Sequence, residues 1–319
     1  MNKKIDIIIP CCNEAENIKY IIEEIDRFIR NLNYEYEYTF IDDGSTDGTY
    51  NTITGFARKR KDINVIKLTR NFGKEAALRA GIELCDADAA IIIDGDLQHP
   101  PHLIPSIISA WERGANIVDA VKIQRQKENI LIKLLSIAFY KLMNNLTNMD
   151  FSGSSDYKLI DRKAMDLLKT LNEKNRFFRG LTNWIGLQHC KIEFKVEDRK
   201  SGKSKWGIVK LVRLSFDATA AYTSKPLHIV TCLGLFTLVF SIILGLQTLY
   251  NKILGHAVSG FTTVILITLI LSSIIMISLG IIGLYLSKIY DEVKGRPIFI
   301  MEKYTKSGPS RENCDRNLI

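Results

Sequence analysis

Along the N-terminal third of the chain, short continuous apolar runs alternate with stretches in which apolar residues recur every three or four positions. Ile5 to Pro10 is short, rich in isoleucine and nearly unbroken, which predicts a parallel strand buried on both faces. Ile18, Ile21, Ile22, Ile25, Phe28 and Leu32 then repeat at helical spacing, and Asn13 with Glu16 three residues on reads as the cap of that helix. The alternation predicts further strands at Tyr38–Ile41, Ile63–Leu68, Ala89–Ile93 and Asn116–Val121, with helices at Gly48–Arg60, Lys74–Leu84 and Leu103–Arg113. Repeated βα units imply a doubly wound, mostly parallel sheet with ligands at the carboxyl ends of its strands. Ile130 to Asn145 is apolar-rich with Lys133 and Lys141 interspersed, and is expected to be a helix that lies against the membrane surface or the core, the surface being preferred.

The pattern then changes. Leu227 to Tyr250 is 24 residues without Asp, Glu, Lys or Arg, and Ala257 to Ser287 is 31 more. Each exceeds the roughly 20 residues that cross a hydrocarbon core, which predicts a hairpin of two transmembrane helices at about 227–250 and 261–287. The loop between them carries one lysine, whereas Lys210, Arg213 and Lys225 precede the pair and Lys288, Lys294 and Arg296 follow it. The positive-inside rule puts both flanks in the cytoplasm. The expected domains are a catalytic unit over 1–200, a basic juxtamembrane segment over 201–225, the two spans within 226–288 and a polar cytoplasmic tail over 289–319.

The net charge of +8 fits nucleic acid, anionic lipid or phosphorylated ligands equally, so only its placement decides. The cations gather near the apolar spans rather than in a stripe interleaved with stacking aromatics, which speaks against nucleic acid. Cys11, Cys12, Cys85, Cys190, Cys232 and Cys314 show neither CxxC spacing nor a disulfide framework and indicate a reducing compartment. The start MNKKIDIIIP lacks a cleavage site of small residues, so no signal peptide is expected.

Asp94, Gly95 and Asp96 directly follow a predicted strand, which delivers both carboxylates to the ligand edge of the sheet. Two hard oxygen ligands there suit Mg²⁺ or Mn²⁺ shared with substrate phosphates. Asp86 and Asp88 repeat the spacing at the opposite end of that strand and are read as capping. The segment Ile41–Thr49, IDDGSTDGT, places Asp43 at another strand end, where it could accept a hydrogen bond from a nucleobase or ribose, while Asp47 caps the next helix. The first strand ends in PCCNEAEN, without the glycines of a dinucleotide fold, and no phosphate-loop motif occurs. Glu197 to Gly207, EDRKSGKSKWG, sets Arg199, Lys200, Lys203 and Lys205 before the first span, where they could hold phosphates or meet lipid headgroups. Arg199 and Lys205 are the preferred phosphate ligands, with Lys203 and Arg125 next. His99 and His102 follow the paired aspartates, but metal ligation is left to the carboxylates.

Taken together, IIIPCCNEAENI, FIDDGSTDGT, RNFGKEAAL, IIIDGDLQHPP and SGSSDYKLIDRKAMDLL resemble glycosyltransferase family 2, and most of all its polyprenyl-phosphate branch of bactoprenol glucosyltransferases and dolichol-phosphate mannosyltransferases. The resemblance covers essentially the whole chain. It implies a GT-A-type, Rossmann-like nucleotide-sugar domain of α/β class, with a mostly parallel sheet and the C-terminal hairpin anchor. Pro10, Asn13, Glu14, Asp43 and Lys74 would contact the nucleotide sugar, and Asp94 and Asp96 the metal and diphosphate. Asp156 would stand at the acceptor as candidate base, with Asp96 beside it in the catalytic set. The implied reaction is inverting transfer from a UDP-sugar, UDP-glucose being expected, to a polyprenyl phosphate such as undecaprenyl phosphate at the cytoplasmic membrane. A homo-oligomer is compatible with the resemblance. A phosphate monoester has a second pKa of about 6 and is already largely dianionic, so Asp156 is expected to orient the acceptor more than to deprotonate it. Cys11 and Cys12 depart from the bulkier residue the family often carries before Asn-Glu. Two other readings remain. A processive polysaccharide synthase would carry a Q-x-x-R-W motif and further spans, and a non-catalytic nucleotide-sugar sensor would bind without turnover.

Overall fold

The computed structural model describes residues 3–96, 99–123, 156–174, 177–195, 225–254 and 260–306. The predicted alternation is present as β1 (Lys4–Cys11), α1 (Ile18–Ile29), β2 (Glu35–Asp42), α2 (Thr49–Ala57), β3 (Ile63–Leu68), α3 (Lys74–Leu84), β4 (Ala89–Ile92), α4 (Ile104–Glu112) and β5 (Ile117–Ile123). A 3₁₀ turn at Pro101–Leu103 leads into α4. Beyond the described gap come β6 (Lys158–Asp161), α5 (Arg162–Thr170), α6 (Phe178–Trp184) and β7 (His189–Lys195). The helix expected over 130–145 lies outside the described residues.

Among the described residues, eight strands form one sheet in the order β7-β5-β6-β4-β1-β2-β3-β8, where β8 is Met301–Thr305. The central strands β4, β1, β2 and β3 are parallel, while β6 runs antiparallel between β4 and β5. That reversal matters for the site. It pairs Ile92 at the end of β4 with Lys158 at the start of β6, so the segment entering β6 arrives at the edge the central strands leave.

The core follows from the isoleucine-rich strand. Ile5, Ile7, Ile8 and Ile9 are fully buried, and Ile18, Ile21, Ile22, Ile25 and Ile29 of α1 cover one face. Burying each such side chain contributes about 1.5–3 kcal/mol. α5 starts behind Asp161, whose carboxylate accepts from the Ala164 amide at 2.7 Å.

Two local expectations are corrected. Asn13 does not cap α1, which begins at Ile18 behind Asn17. Asn13 instead sits in the left-handed region at φ 59°, a conformation asparagine tolerates better than most residues, and its carboxamide oxygen accepts from the Thr46 amide at 2.9 Å. The tail expected over 289–319 is not only a polar extension, because Met301–Thr305 within it forms β8, which pairs antiparallel with β3, and Lys67 meets Glu302 at 2.8 Å.

The chain divides into two compact units, one comprising 1–206 with 296–319 and the other 207–295. The second holds α7 (Lys225–Ile253) and α8 (Phe261–Val293), which touch each other. Ile270–Val293 of α8 is long and apolar enough to cross a membrane, and the apolar described stretch of α7, Cys232–Gln247, is shorter. Phe236, Leu246, Met276 and Leu286 all lie exposed on this unit.

Candidate active site

Four loops leave the carboxyl ends of the parallel strands, and hydrogen bonds tie them to one another. Asp43, the first residue after β2, is buried. Its two carboxylate oxygens accept from the Phe72 and Gly73 amides at 2.7 and 2.9 Å, and its own amide donates to the Cys11 carbonyl. Gly44 makes that approach feasible: a Cβ there would come within 2.3 Å of the Arg70 carbonyl carbon, and its φ of 64° already disfavours a side chain. The amide of Asn13 donates to Ser45, and the amide of Ala15 to Asp47. Asp47 also accepts from the Thr49 amide at 3.0 Å, much as a cap for α2 should.

The DGD triplet crosses the end of β1. A Cβ on Gly95 would stand 3.3 Å from both the Cys11 sulfur and the Pro10 carbonyl oxygen, with Glu14 close behind. Asp94 is partly buried, and its amide donates to Nδ1 of His99, which is itself buried and stacked on Tyr157 at 5.0 Å between ring centres. Asp96 lies exposed at the rim. Burial raises the Glu14 carboxyl above its usual range, and the negative charges of Asp96, Asp47 and Asp94 push in the same direction despite the hydrogen bond from Asn17. An acidic mouth of this kind favours a cation. Asp86 and Asp88 lie at the other end of β4, where they bind Lys4 and Lys306.

Asp156 enters from the antiparallel side. Its carboxylate is gripped by Arg179 on α6, Nε at 2.7 Å and Nη2 at 2.9 Å, and by Lys74 at 2.7 Å. Burial alone would raise its pKa, but Arg179 and then Lys74 overcome that and hold it far below the ordinary carboxylate range. Lys74, the first residue of α3, also reaches Asp94 at 2.5 Å. Burial works against its charge, yet the Asp156 and Asp94 carboxylates together raise its pKa. Beside it, Glu75 accepts from the Phe178 amide at the start of α6, and burial pushes its carboxyl up to about 7.

A buried ionic network lies beneath α6. Lys158 is fully buried, 2.9 Å from Asp119 and 2.8 Å from the Thr182 hydroxyl, and His189 bridges Asp119 to the Thr182 carbonyl. Burial would raise the Asp119 carboxyl, but His189 and Lys158 bring it below its ordinary range. The network joins β5, β6 and β7 to the helix that carries Arg179.

Of the residues singled out from sequence, Pro10, Asn13, Glu14, Asp43, Lys74, Asp94, Asp96 and Asp156 all sit on this one edge. Arg125, Arg199, Lys203 and Lys205 lie outside the described residues. Sequence reasoning missed Arg179, Glu75, Lys158, Asp119 and His189. The one available hint for Arg179 was a cation set between apolar residues in FFRGL.

The family model described as Glycosyl transferase family 2 matches residues 6–168. Over 308 residues the chain is 33% identical to the SfII prophage-derived bactoprenol glucosyl transferase of Shigella flexneri, covering 96% of this chain and all of that one. It is 34% identical over 306 residues to the uncharacterized glycosyltransferase sll0501 of Synechocystis sp., covering 94% of this chain and 95% of that one. The fold resembles that of glucosyl-3-phosphoglycerate synthase from Mycobacterium tuberculosis, solved with Mn²⁺, UDP-glucose and phosphoglyceric acid. The TM-score is 0.51 at 17% identity, covering 68% of this chain and 78% of that one.

Proposed function

Because the chain belongs to glycosyl transferase family 2, we propose that this glycosyltransferase moves a sugar from UDP, with UDP-glucose as the expected donor, to a polyprenyl phosphate. The observation that carries this reading is the convergence on one sheet edge of a nucleotide-side carboxylate, Asp43, a paired-aspartate turn, Asp94 and Asp96, and a cation-clamped carboxylate, Asp156. The naming of the Shigella relative as a bactoprenol glucosyl transferase supports a lipid acceptor.

The residues fit a divalent cation. Asp94 and Asp96 offer hard oxygens, and the Glu14 and Asp47 carboxylates add negative charge nearby. Among the described residues no three His, Cys, Asp or Glu side chains converge as a cage. Mg²⁺ or Mn²⁺ held by Asp94 and Asp96 would therefore draw the rest of its shell from diphosphate and water, and would neutralise charge on the leaving group.

On this reading Asp43 holds the ribose or base, with Pro10, Asn13 and Glu14 shaping the same end. A phosphate oxygen of the acceptor attacks the sugar C1 in line, the new C1–O bond forms as the bond to the diphosphate breaks, and UDP departs with inversion. Asp156 is too firmly ion-paired to collect a proton. It orients the acceptor through the cations it holds, which suits a phosphate already ionised at neutral pH. Arg199, Lys203, Lys205 and Arg125 supply further positive charge for the lipid phosphate.

α7 and α8 form the anchor, two spans with the catalytic unit, proposed as 1–200, on the cytoplasmic face. The basic 201–225 segment meets the headgroups, and 289–319 follows the second span on the same side. The outward-facing apolar side chains of the helical unit support this placement, since lipid is the solvent such a surface needs.

Transfer of radiolabel from a panel of nucleotide sugars to undecaprenyl phosphate in detergent, with and without Mn²⁺ or Mg²⁺, tests the proposal. Metal-dependent label in the lipid phase is expected with UDP-glucose. Tight UDP binding with no label from any donor would replace it with the sensor reading.

A further inference from the structure

Lys74 occupies an unusual electrostatic position. It is the first residue of α3, where the exposed amides of a helix start make the location unfavourable for a cation. What fixes it there is a pair of carboxylates on two different elements, Asp94 after β4 at 2.5 Å and Asp156 before β6 at 2.7 Å. The two carboxylates are not equally dependent on it. Asp156 keeps a bidentate pair with Arg179 whether or not Lys74 is present. Asp94 has Lys74 on one oxygen, while Nε2 of His99, a ring whose Nδ1 accepts from the Asp94 amide and is therefore unprotonated, stands 3.7 Å from the other. Lys74 could therefore leave Asp94 without stranding Asp156.

The backbone just before Lys74 points the same way. Gly73 takes φ 96°, and the Phe72 and Gly73 amides are pinned to Asp43, so the base of Lys74 is fixed from the nucleotide side. Only the four-carbon stem is left to move, and an ammonium is a compact point charge that can change partners without the fixed geometry of a guanidinium.

We propose that Lys74 is a resident cation that occupies the Asp94 carboxylate until the metal–nucleotide donor arrives, then yields it and turns to the diphosphate and Asp156. This deepens the reading above, since it rests on Asp94 being a metal ligand. In this arrangement Lys74 competes with the free metal for Asp94, so the bare ion is held weakly and the donor complex is preferred.

The test is Mn²⁺ binding to the full-length protein in detergent without nucleotide, followed by the electron paramagnetic resonance signal of the free ion. Lys74→Met, or Lys74→Gln should the first fold poorly, is expected to bind Mn²⁺ about tenfold more tightly than the wild type, because a unit positive charge within a few ångströms is removed. Lys74→Arg, which keeps the charge, should stay near wild type, and in an Asp94→Asn background Lys74→Met should have no effect. A supporting residue would change the affinity in the opposite direction, so unchanged or weaker Mn²⁺ binding in both neutral variants overturns the exchange. If Mn²⁺ binds neither wild type nor variant even with saturating UDP, the metal reading of Asp94 and Asp96 falls and the exchange falls with it. Label transfer to lipid without added metal would still be read separately, as evidence on the reaction itself.

Discussion

Asp43 and Asp156 are both mostly buried carboxylates at the same edge of the same sheet, yet they are held in different ways. Asp43 is fixed by backbone amides across a turn that tolerates no side chain at Gly44. Asp156 is fixed by the ends of two long cationic side chains, Lys74 and Arg179, reaching from separate helices. Amides cannot change partner without moving the loop, whereas ammonium and guanidinium groups can. On the proposed assignment of Asp43 to the nucleotide and Asp156 to the acceptor, the nucleotide side is preformed, and the acceptor side is built from charges that can be redistributed as phosphates enter.

The largest expected effect lies where the two sides meet. Asp94→Asn should lower kcat/KM by about 10³-fold while leaving UDP affinity measured without metal near wild type. Equal losses in both would place Asp94 with the nucleotide side and erase the distinction. Next comes Arg179→Ala, which among the described residues leaves Asp156 with Lys74 alone. Since Arg179 is about one-third exposed, at 32%, the loss of stability should be about 1–3 kcal/mol rather than the full cost of breaking a buried pair. Thermal unfolding checks this, and the KM for the lipid acceptor should rise more than that for the donor. Arg179→Lys should restore little, because one ammonium cannot reproduce the two-toothed grip.

Asp43→Asn should act on the other side, weakening UDP by about tenfold by isothermal titration, with kcat changed less. Should it instead disturb the acceptor KM, the two sides are coupled more tightly than their hydrogen bonds indicate.

The smallest effect is a pH dependence. Glu75 has a folded-state pKa of about 7, above its ordinary value near 4.5. The stability associated with its protonated form is fully present below pH 4.5 and is lost as pH rises through 7. Glu75→Gln should therefore match wild type in melting temperature at pH 4.5 and exceed it by a few degrees at pH 8. A constant difference across that range would show that the carboxyl titrates normally. Asp156, whose pKa is depressed, contributes in the opposite sense, and its stabilisation is lost only as pH falls below the usual carboxylate range.

Most of the sheet was legible in the sequence because local pattern and tertiary role agree there. Ile63–Leu68 and Lys74–Leu84 fall on the elements observed, and Asp94 emerges at the edge because the strand before it is buried on both faces. Met301–Thr305 was not legible. MEKYT carries two charges and has no continuous apolar run, and only pairing with β3 makes it a strand. Arg179 was missed for a related reason: its partner lies 23 residues away across a strand and a helix, and no local spacing encodes that meeting. Asn13 lies on the same edge as the other candidate residues, but it is not the helix cap that its spacing to Glu16 suggested. Its side chain is committed to the neighbouring loop at Thr46, and a pattern of helix caps cannot foresee a contact between loops.

The position of β8 bears on how the protein is made. Among the described residues, seven strands of the sheet lie before the helical unit in the chain, and the eighth lies after it. During synthesis from the N-terminus, the backbone of β3 therefore presents an unpaired edge until both long apolar helices have left the ribosome. An open edge of that kind invites pairing with other chains. Ribosomes stalled within α8 would release a nearly complete sheet with this edge uncovered, so premature termination there should produce aggregates even though every residue proposed for chemistry has already been made.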